Sequence, residues 1–308
     1  MSKQLDLFPD SSLNVSQSPR EENLSDLETM INPIDEVFVT TARLHSRRNF
    51  MDLLNFLARF PNYSPFNGFL LFIQNPSATY VATARTWLQK FKRRPRQDAH
   101  PMAILAPMAP ILFVFDLQDT EGIPVPSNLL KIPEINVAFL GKKYENTLHN
   151  CRIQGIAVHE TILNGDVTDA ASRLTPSLRK KYKDLKLAKD TSYLILLDKN
   201  QSLRDKYAVL TVELGHIFCG HLGIDRHAWW PKRRDLNIGG EALEAESVAF
   251  LVCSRTGLKV SAQNYGFSQS DDHQKTPPFS LNAVLQAAHY VEKMSTSLWK
   301  KPRKESRY

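Results

Sequence analysis

Residues 207–221 read Tyr-Ala-Val-Leu-Thr-Val-Glu-Leu-Gly-His-Ile-Phe-Cys-Gly-His, which contains most of a hydrolytic metal motif. The working pattern is H-E-x-x-H on a helix. Two histidines four residues apart share one face and hold a metal, and the glutamate beside the first activates a water. Glu213 and His216 stand where the pattern wants its glutamate and its second histidine. Val212 holds the first histidine position, and a valine has no ligand atom to offer. Leu210, Leu214, Ile217 and Phe218 explain the apolar face of a packed helix. They do not explain a glutamate and a histidine among them.

Such a helix needs a scaffold, and the flanking sequence supplies one. Residues 193–197, Tyr-Leu-Ile-Leu-Leu, predict a strand, with residues 198–203 as the turn into the metal helix. Residues 241–253 are alanine-rich and predict a second helix carrying Glu244 and Glu246. Strand, metal helix and a later glutamate helix form the layout of a zincin. At these residues the chain resembles the ImmA/IrrE family of metallopeptidases, closely over 193–257 and loosely over 122–292. The family stretch that matches residues 211–223 runs A-H-E-L-x-H-x-x-x-G-H-x-G. The resemblance implies Glu213 as general base, His216 as zinc ligand and Glu246 as the third ligand, with Glu244 as the alternative. Two residues apart, those glutamates cannot share a helical face. His221, Asp225 and His227 are the candidates to replace the lost imidazole. His221 follows Gly220, a residue type that often ends a helix, and lies five positions beyond His216.

The resemblance also implies a zinc-dependent endopeptidase acting on a regulatory protein, such as a helix-turn-helix repressor, in stress response, mobile elements or phage defence. In a working site, zinc and Glu213 would together generate a hydroxide-like nucleophile. Residues 193–197 would be available to pair with substrate backbone as an edge strand. Val212 opens the competing class: a zincin-fold binding protein that retains its partner groove and does not cut.

At 308 residues with 42% hydrophobic content, the chain can bury a substantial core. No run approaches the length of a membrane span, and the opening residues are acidic rather than signal-like. Cys151, Cys219 and Cys253 show no paired spacing, which fits reduced thiols and a cytoplasmic location. Cys219 lies on the metal helix, where a packed thiol is favoured over a soft ligand.

Charge is unevenly spread. Residues 1–36 carry eight acids against Lys3 and Arg20, so the rest of the chain is +13 within a total of +7. An acidic, polar opening predicts disorder over 1–35, and the basic remainder predicts an anionic partner, nucleic acid first. Within the opening, Gln4-Leu5-Asp6-Leu7-Phe8 resembles the Q-L-[SD]-L-F peptide with which bacterial DNA-handling proteins dock on the replication sliding clamp. Leu7 and Phe8 would be its apolar anchors, with Gln4 and Leu5 completing the contact.

Residues 36–122 predict a second module. Helical spacing over 36–60 is followed by Tyr63-Ser-Pro-Phe-Asn67, Gln74-Asn-Pro-Ser-Ala-Thr79, Trp87 and a basic run. Apolar strands at 102–106 and 111–116 lead into Phe115-Asp-Leu-Gln-Asp-Thr-Glu-Gly122. This order resembles the N-terminal single-strand-binding part of ArdC-type antirestriction proteins. Arg85, Lys90, Lys92, Arg93, Arg94 and Arg96 would supply positive charge for single-stranded DNA, without an intervening acid. Tyr63, Tyr80, Trp87 and Phe91 are candidate base platforms, although the four-residue step from Trp87 to Phe91 favours a buried helical stripe. A second basic-aromatic loop, Trp229-Trp-Pro-Lys-Arg-Arg234, follows the metal helix and could rim its cleft.

Elsewhere, 135–140 and 153–158 predict strands, 172–187 a charged helix and 281–298 a closing helix. His159-Glu160 begins an H-E pair, but Leu163 stands where a second histidine would be needed. The expected architecture is an α+β zincin-like domain over 123–298, preceded by the ArdC-like module and followed by a basic tail at 299–308.

Overall fold

The computed structural model describes residues 47–106, 111–163, 170–223, 229–230, 233, 236–259 and 277–300. The clamp-like peptide, Asp225, His227 and residues 301–308 of the basic tail lie outside the described residues. The fold is mixed α+β and divides into two compact units, Met1–Lys131 and Ile132–Tyr308.

In the first unit, α1 (Arg47–Ala58) buries Phe50, Leu53, Leu54 and Leu57 at helical spacing, each 0% exposed. Ser64 caps α2 (Pro65–Gln74), accepting a hydrogen bond from the Asn67 amide, and Pro65 opens the helix where no N–H is needed. The short β1 (Val81–Ala82) is followed by α3 (Ala84–Phe91). Then come β2 (Arg93–Pro95), β3 (Met102–Ile104), β4 (Leu112–Asp116) and β5 (Thr120–Gly122). β4 sits between β1 and β3, all antiparallel, and β2 pairs antiparallel with β5.

The residues that carry the ArdC resemblance build this scaffold. Asn67 and Gln74 lie two turns apart on α2 and take the outer edge of β3 and the residue beyond it, as another strand would. Asn67 donates to the Leu105 carbonyl and accepts from its amide, at 3.1 and 3.0 Å. Gln74 does the same with Ala103, at 2.8 Å each way. The buried Asp116 carboxylate accepts from the amides of Thr79, Tyr80 and Gln118. Gly122 has φ +135°, and a Cβ there would lie 2.6 Å from the Lys92 carbonyl oxygen, so only glycine fits.

In the second unit, α4 (Val137–Ile153) leads into β6 (Ile156–Thr161). β7 (Ala170–Arg173), α5 (Pro176–Lys181) and β8 (Tyr193–Asp198) follow, then α6 (Leu203–Phe218), α7 (Ile238–Arg255) and α8 (Leu281–Thr296). The sheet order is β6-β8-β7, with β6 parallel and β7 antiparallel to β8. Because β8 is central, residues 193–197 are all buried, as in a strand covered on both faces. They are not an edge strand, and the expected pairing with substrate at 193–197 is corrected on that ground.

Two more expectations are revised. Residues 135–140 enter a helix rather than a strand: Asn136 caps α4 by accepting from the Phe139 amide, and Leu140, Tyr144, Thr147 and Cys151 follow at helical spacing into the core. The apolar run misled because Val137 and Phe139 point to solvent, at 61% and 63% exposure. Residues 172–187 are not one helix. Arg173 ends β7, and Thr175 caps the six-residue α5 with Pro176 in its first turn. A 3-10 turn and Lys186, at φ 48°, then end the segment.

Candidate functional site

The site is built where α6 meets α7. Ser202 caps α6 by accepting from the Asp205 amide. Lys206, one turn in, pairs with Glu160 on β6 at 2.5 Å, which also accepts from the Tyr144 hydroxyl. The Lys206 bond is the main cause that holds the Glu160 carboxyl below the usual carboxylate range. Farther along, Gly215 lets the two helices close: a Cβ there would lie 2.9 Å from the Ala245 Cα. The neighbours of that pair in sequence are His216 and Glu244.

His221 reaches the same place through the helix end. Gly220 has φ +86°, and the His221 amide donates back to the His216 carbonyl, a left-handed termination of α6 that folds the chain over its own last turn. Nδ1 of His221 then lies 3.0 Å from Nδ1 of His216, and Nε2 of His221 lies 3.0 Å from Oε2 of Glu244. A carboxylate only accepts, so Nε2 of His221 carries a proton. The two Nδ1 atoms share one hydrogen bond whose donor is set by the tautomers of the two rings. Burial, followed by the neighbouring His221, pulls the His216 pKa down to about 4.

Glu244 is fully buried and saturated with donors. Nη1 of Arg233 lies 2.6 Å from each of its oxygens, and the Ser280 amide donates to Oε1 at 2.6 Å. Cys219 completes the cluster. Burial first, and then the charge of Glu244, pushes its thiol well up, so it stays protonated. Glu213, 9% exposed, faces the sheet, where its Oε2 accepts from the Ala171 amide of β7 at 2.5 Å.

Among the described residues, the cluster joins His216 to His221 and the alternative acid Glu244. Val212 is half-buried and Glu246 half-buried, while Glu244 rather than Glu246 shares the cluster with His221. Ligand atoms of Cys219, His221 and Glu244 lie within 4.8 Å of one another, a group that could hold a metal ion. The catalytic zinc of a zincin does not fit the residues present. Val212 gives no ligand, the imidazole of His221 stands between His216 and Glu244, and Glu244 already carries a guanidinium. Arg233 was missed as a site residue because its loop read as basic surface. Trp230 of that loop is buried, while Trp229, 42% exposed, stacks on Phe218 with centroids 6.0 Å apart. Lys232 and Arg234 lie outside the described residues.

In the first unit the six cations divide evenly. Arg93 donates to the Thr120 hydroxyl and to the Thr120, Gly122 and Ile123 carbonyls, fastening β2 to β5 and the residues after it. Arg94 pairs with Glu121 at 3.0 Å, and Arg96 lies 3.7 and 3.8 Å from Asp98 and Asp119. Arg85, Lys90 and Lys92 are exposed and have no acidic partner among the described residues. The candidate platforms pack inward. Trp87 is 0% exposed and donates to the Phe115 carbonyl, with Tyr80 and Phe91 against it at 5.5 and 5.2 Å. The Tyr63 hydroxyl donates to the Val81 carbonyl. Phe113, 57% exposed on β4, is the outward aromatic that the apolar strand pattern concealed.

Comparison with known families and with curated proteins finds no match. Two solved structures align with the chain, both of the antirestriction protein ArdC from plasmid R388. The metal-free form shares 13% identity at TM-score 0.35, over 75% of this chain and 82% of that one. The Mn(II)-bound form shares 14% at TM-score 0.37, over 81% and 98%. Scores this low carry no weight for site or function.

Proposed function

We propose that this protein is a DNA-associated binding protein: the first unit engages single-stranded DNA, and the second has a zincin-like site that contacts a partner without cutting it. The observation that carries the reading is the commitment of both acids. Glu213 is held by the Ala171 amide, and Glu244 by Arg233. The ligand set that the ImmA/IrrE resemblance implies uses one carboxylate for the water and another for the metal. Zinc is the metal the ImmA/IrrE resemblance implies, and the residues present do not build its site. With Val212 in place of a histidine, a cleaving enzyme is the weaker reading.

Support for single-stranded DNA comes from the outward charge of Arg85, Lys90 and Lys92, with Phe113 as an exposed aromatic face for a base. The test is fluorescence anisotropy with a short labelled oligonucleotide. Changing Arg85, Lys90 and Lys92 together to glutamate should remove most binding. It should also flatten the log–log salt dependence by about 2, at roughly 0.7 per lost phosphate contact. Unchanged affinity would overturn the DNA reading. The non-cutting half is tested by mapping new protein termini in a lysate incubated with the protein and zinc. None are expected, and termini that vanish with Glu213→Gln would restore the enzyme.

A further inference from the structure

The carboxylate of Glu244 poses an accounting problem that its surroundings solve in an unusual way. A fully buried anion needs a cation, and on a zincin helix pair that cation is the metal. We infer that His221 and Arg233 together take the metal's place: Arg233 supplies the positive charge, and the imidazole of His221 supplies the bridge between the two surviving ligand positions. The inference rests on the non-cutting half of the proposed function and is independent of DNA binding.

The geometry supports both parts. A zinc ion draws nitrogen and oxygen ligands to about 2.0–2.2 Å from one point, which brings the ligand atoms close to each other. Here a whole ring lies between them, bonded at 3.0 Å to His216 on one side and at 3.0 Å to Glu244 on the other. The guanidinium touches both carboxylate oxygens, and the Ser280 amide takes the remaining direction on Oε1. Neither substitute comes from the middle of a helix. His221 is delivered by the turn after Gly220 and Arg233 by the following loop, so both enter from the segment that leaves α6. Arg233 is the permanent cation on Glu244, and both of its contacts go to that one carboxylate.

If Arg233 stands in for a cation, a cation should replace Arg233. The experiment measures the thermal unfolding midpoint of the full chain with added zinc chloride and with EDTA. Wild type should respond to neither. Arg233→Met should lose ~5 °C or more, because it strands a buried carboxylate, and zinc should restore most of that loss through Cys219, His221 and Glu244. Arg233→Met with Glu244→Gln removes both charges and should be insensitive to zinc. If Arg233→Met does not fold unaided, the readout becomes its refolding from urea with and without zinc, where zinc-dependent recovery supports the inference. Absence of any zinc effect on Arg233→Met, in melting or refolding, would reduce the pair to an ordinary salt bridge. Stoichiometric zinc in wild type, with a midpoint lowered by EDTA, would overturn the inference by showing a metal where the arginine is assigned.

Discussion

Two arginine–glutamate pairs in this chain differ mainly in where they sit. Arg94 and Glu121 meet across β2 and β5 at 3.0 Å, with side chains 76% and 51% exposed. Arg233 and Glu244 meet at 2.6 Å, with side chains 19% and 0% exposed. Water can replace either partner of the first pair, so losing one strands no charge, while the acid beside Arg94 competes with any anionic ligand for it. No such replacement exists for Glu244, whose partners are fixed by the chain itself. Similar residue types thus give an exchangeable surface in one unit and an internal structural element in the other.

Removing one partner from each pair tests the comparison. Glu244→Ala should cost ~3–5 kcal/mol in urea unfolding, because it leaves the guanidinium and the Ser280 amide without their acceptor in a closed site. A cost under ~1 kcal/mol would mean that the site opens to water. The second unit should also respond to acid. His216 and His289 both have pKa values lowered to about 4, chiefly by burial, against 6.5 when unfolded. The unfolded chain therefore binds more protons between those values. Stability should be complete above about pH 6.5 and fall as the pH drops toward 4, by up to ~1.4 kcal/mol per pH unit from each histidine. His289→Gln should flatten that slope in melts run between pH 7 and 4.5, and an unchanged slope would remove His289 from the account.

In the first unit the costs should be smaller. Asn67→Ala leaves the backbone groups of Leu105 without partners and should cost ~1–3 kcal/mol in chemical denaturation. Arg94→Ala should change stability by less than ~1 kcal/mol. Its effect on oligonucleotide affinity should also be well below that of the Arg85, Lys90 and Lys92 change. Equal effects would mean that the Glu121 pair does not hold Arg94 back.

The contrast also explains which parts of the molecule were legible in its sequence. β8, α6, α7 and α8 were readable because their burial follows strand or helix periodicity. The run at 135–140 misled because its apolar residues face outward, and capping by Asn136 outweighed composition. Glu213 and His216 were proposed from a local spacing of three; His216 joins the α6–α7 cluster and Glu213 faces β7. Arg233 was not proposed, because nothing local distinguishes an arginine that turns inward from its neighbours in a basic loop. His221 was named as a substitute ligand although it lies five positions beyond His216, and helical phase stops applying once Gly220 reverses the chain. The choice between Glu244 and Glu246 needed the register of α7 against α6, set by Gly215 at Ala245, and that is a tertiary fact.

The side-chain seal on β3 has a consequence for behaviour in concentrated solution. An exposed strand edge recruits other chains through its unpaired backbone groups, and proteins generally block it with charge, proline or a covering element. Asn67 and Gln74 fill those hydrogen-bonding positions with amides that cannot pass the pairing on to a further strand. Because they read only main-chain atoms, the identities of residues 103 and 105 can drift while the seal holds. Loss of either amide would expose a sticky edge, so such variants should be prone to self-association even where they still fold.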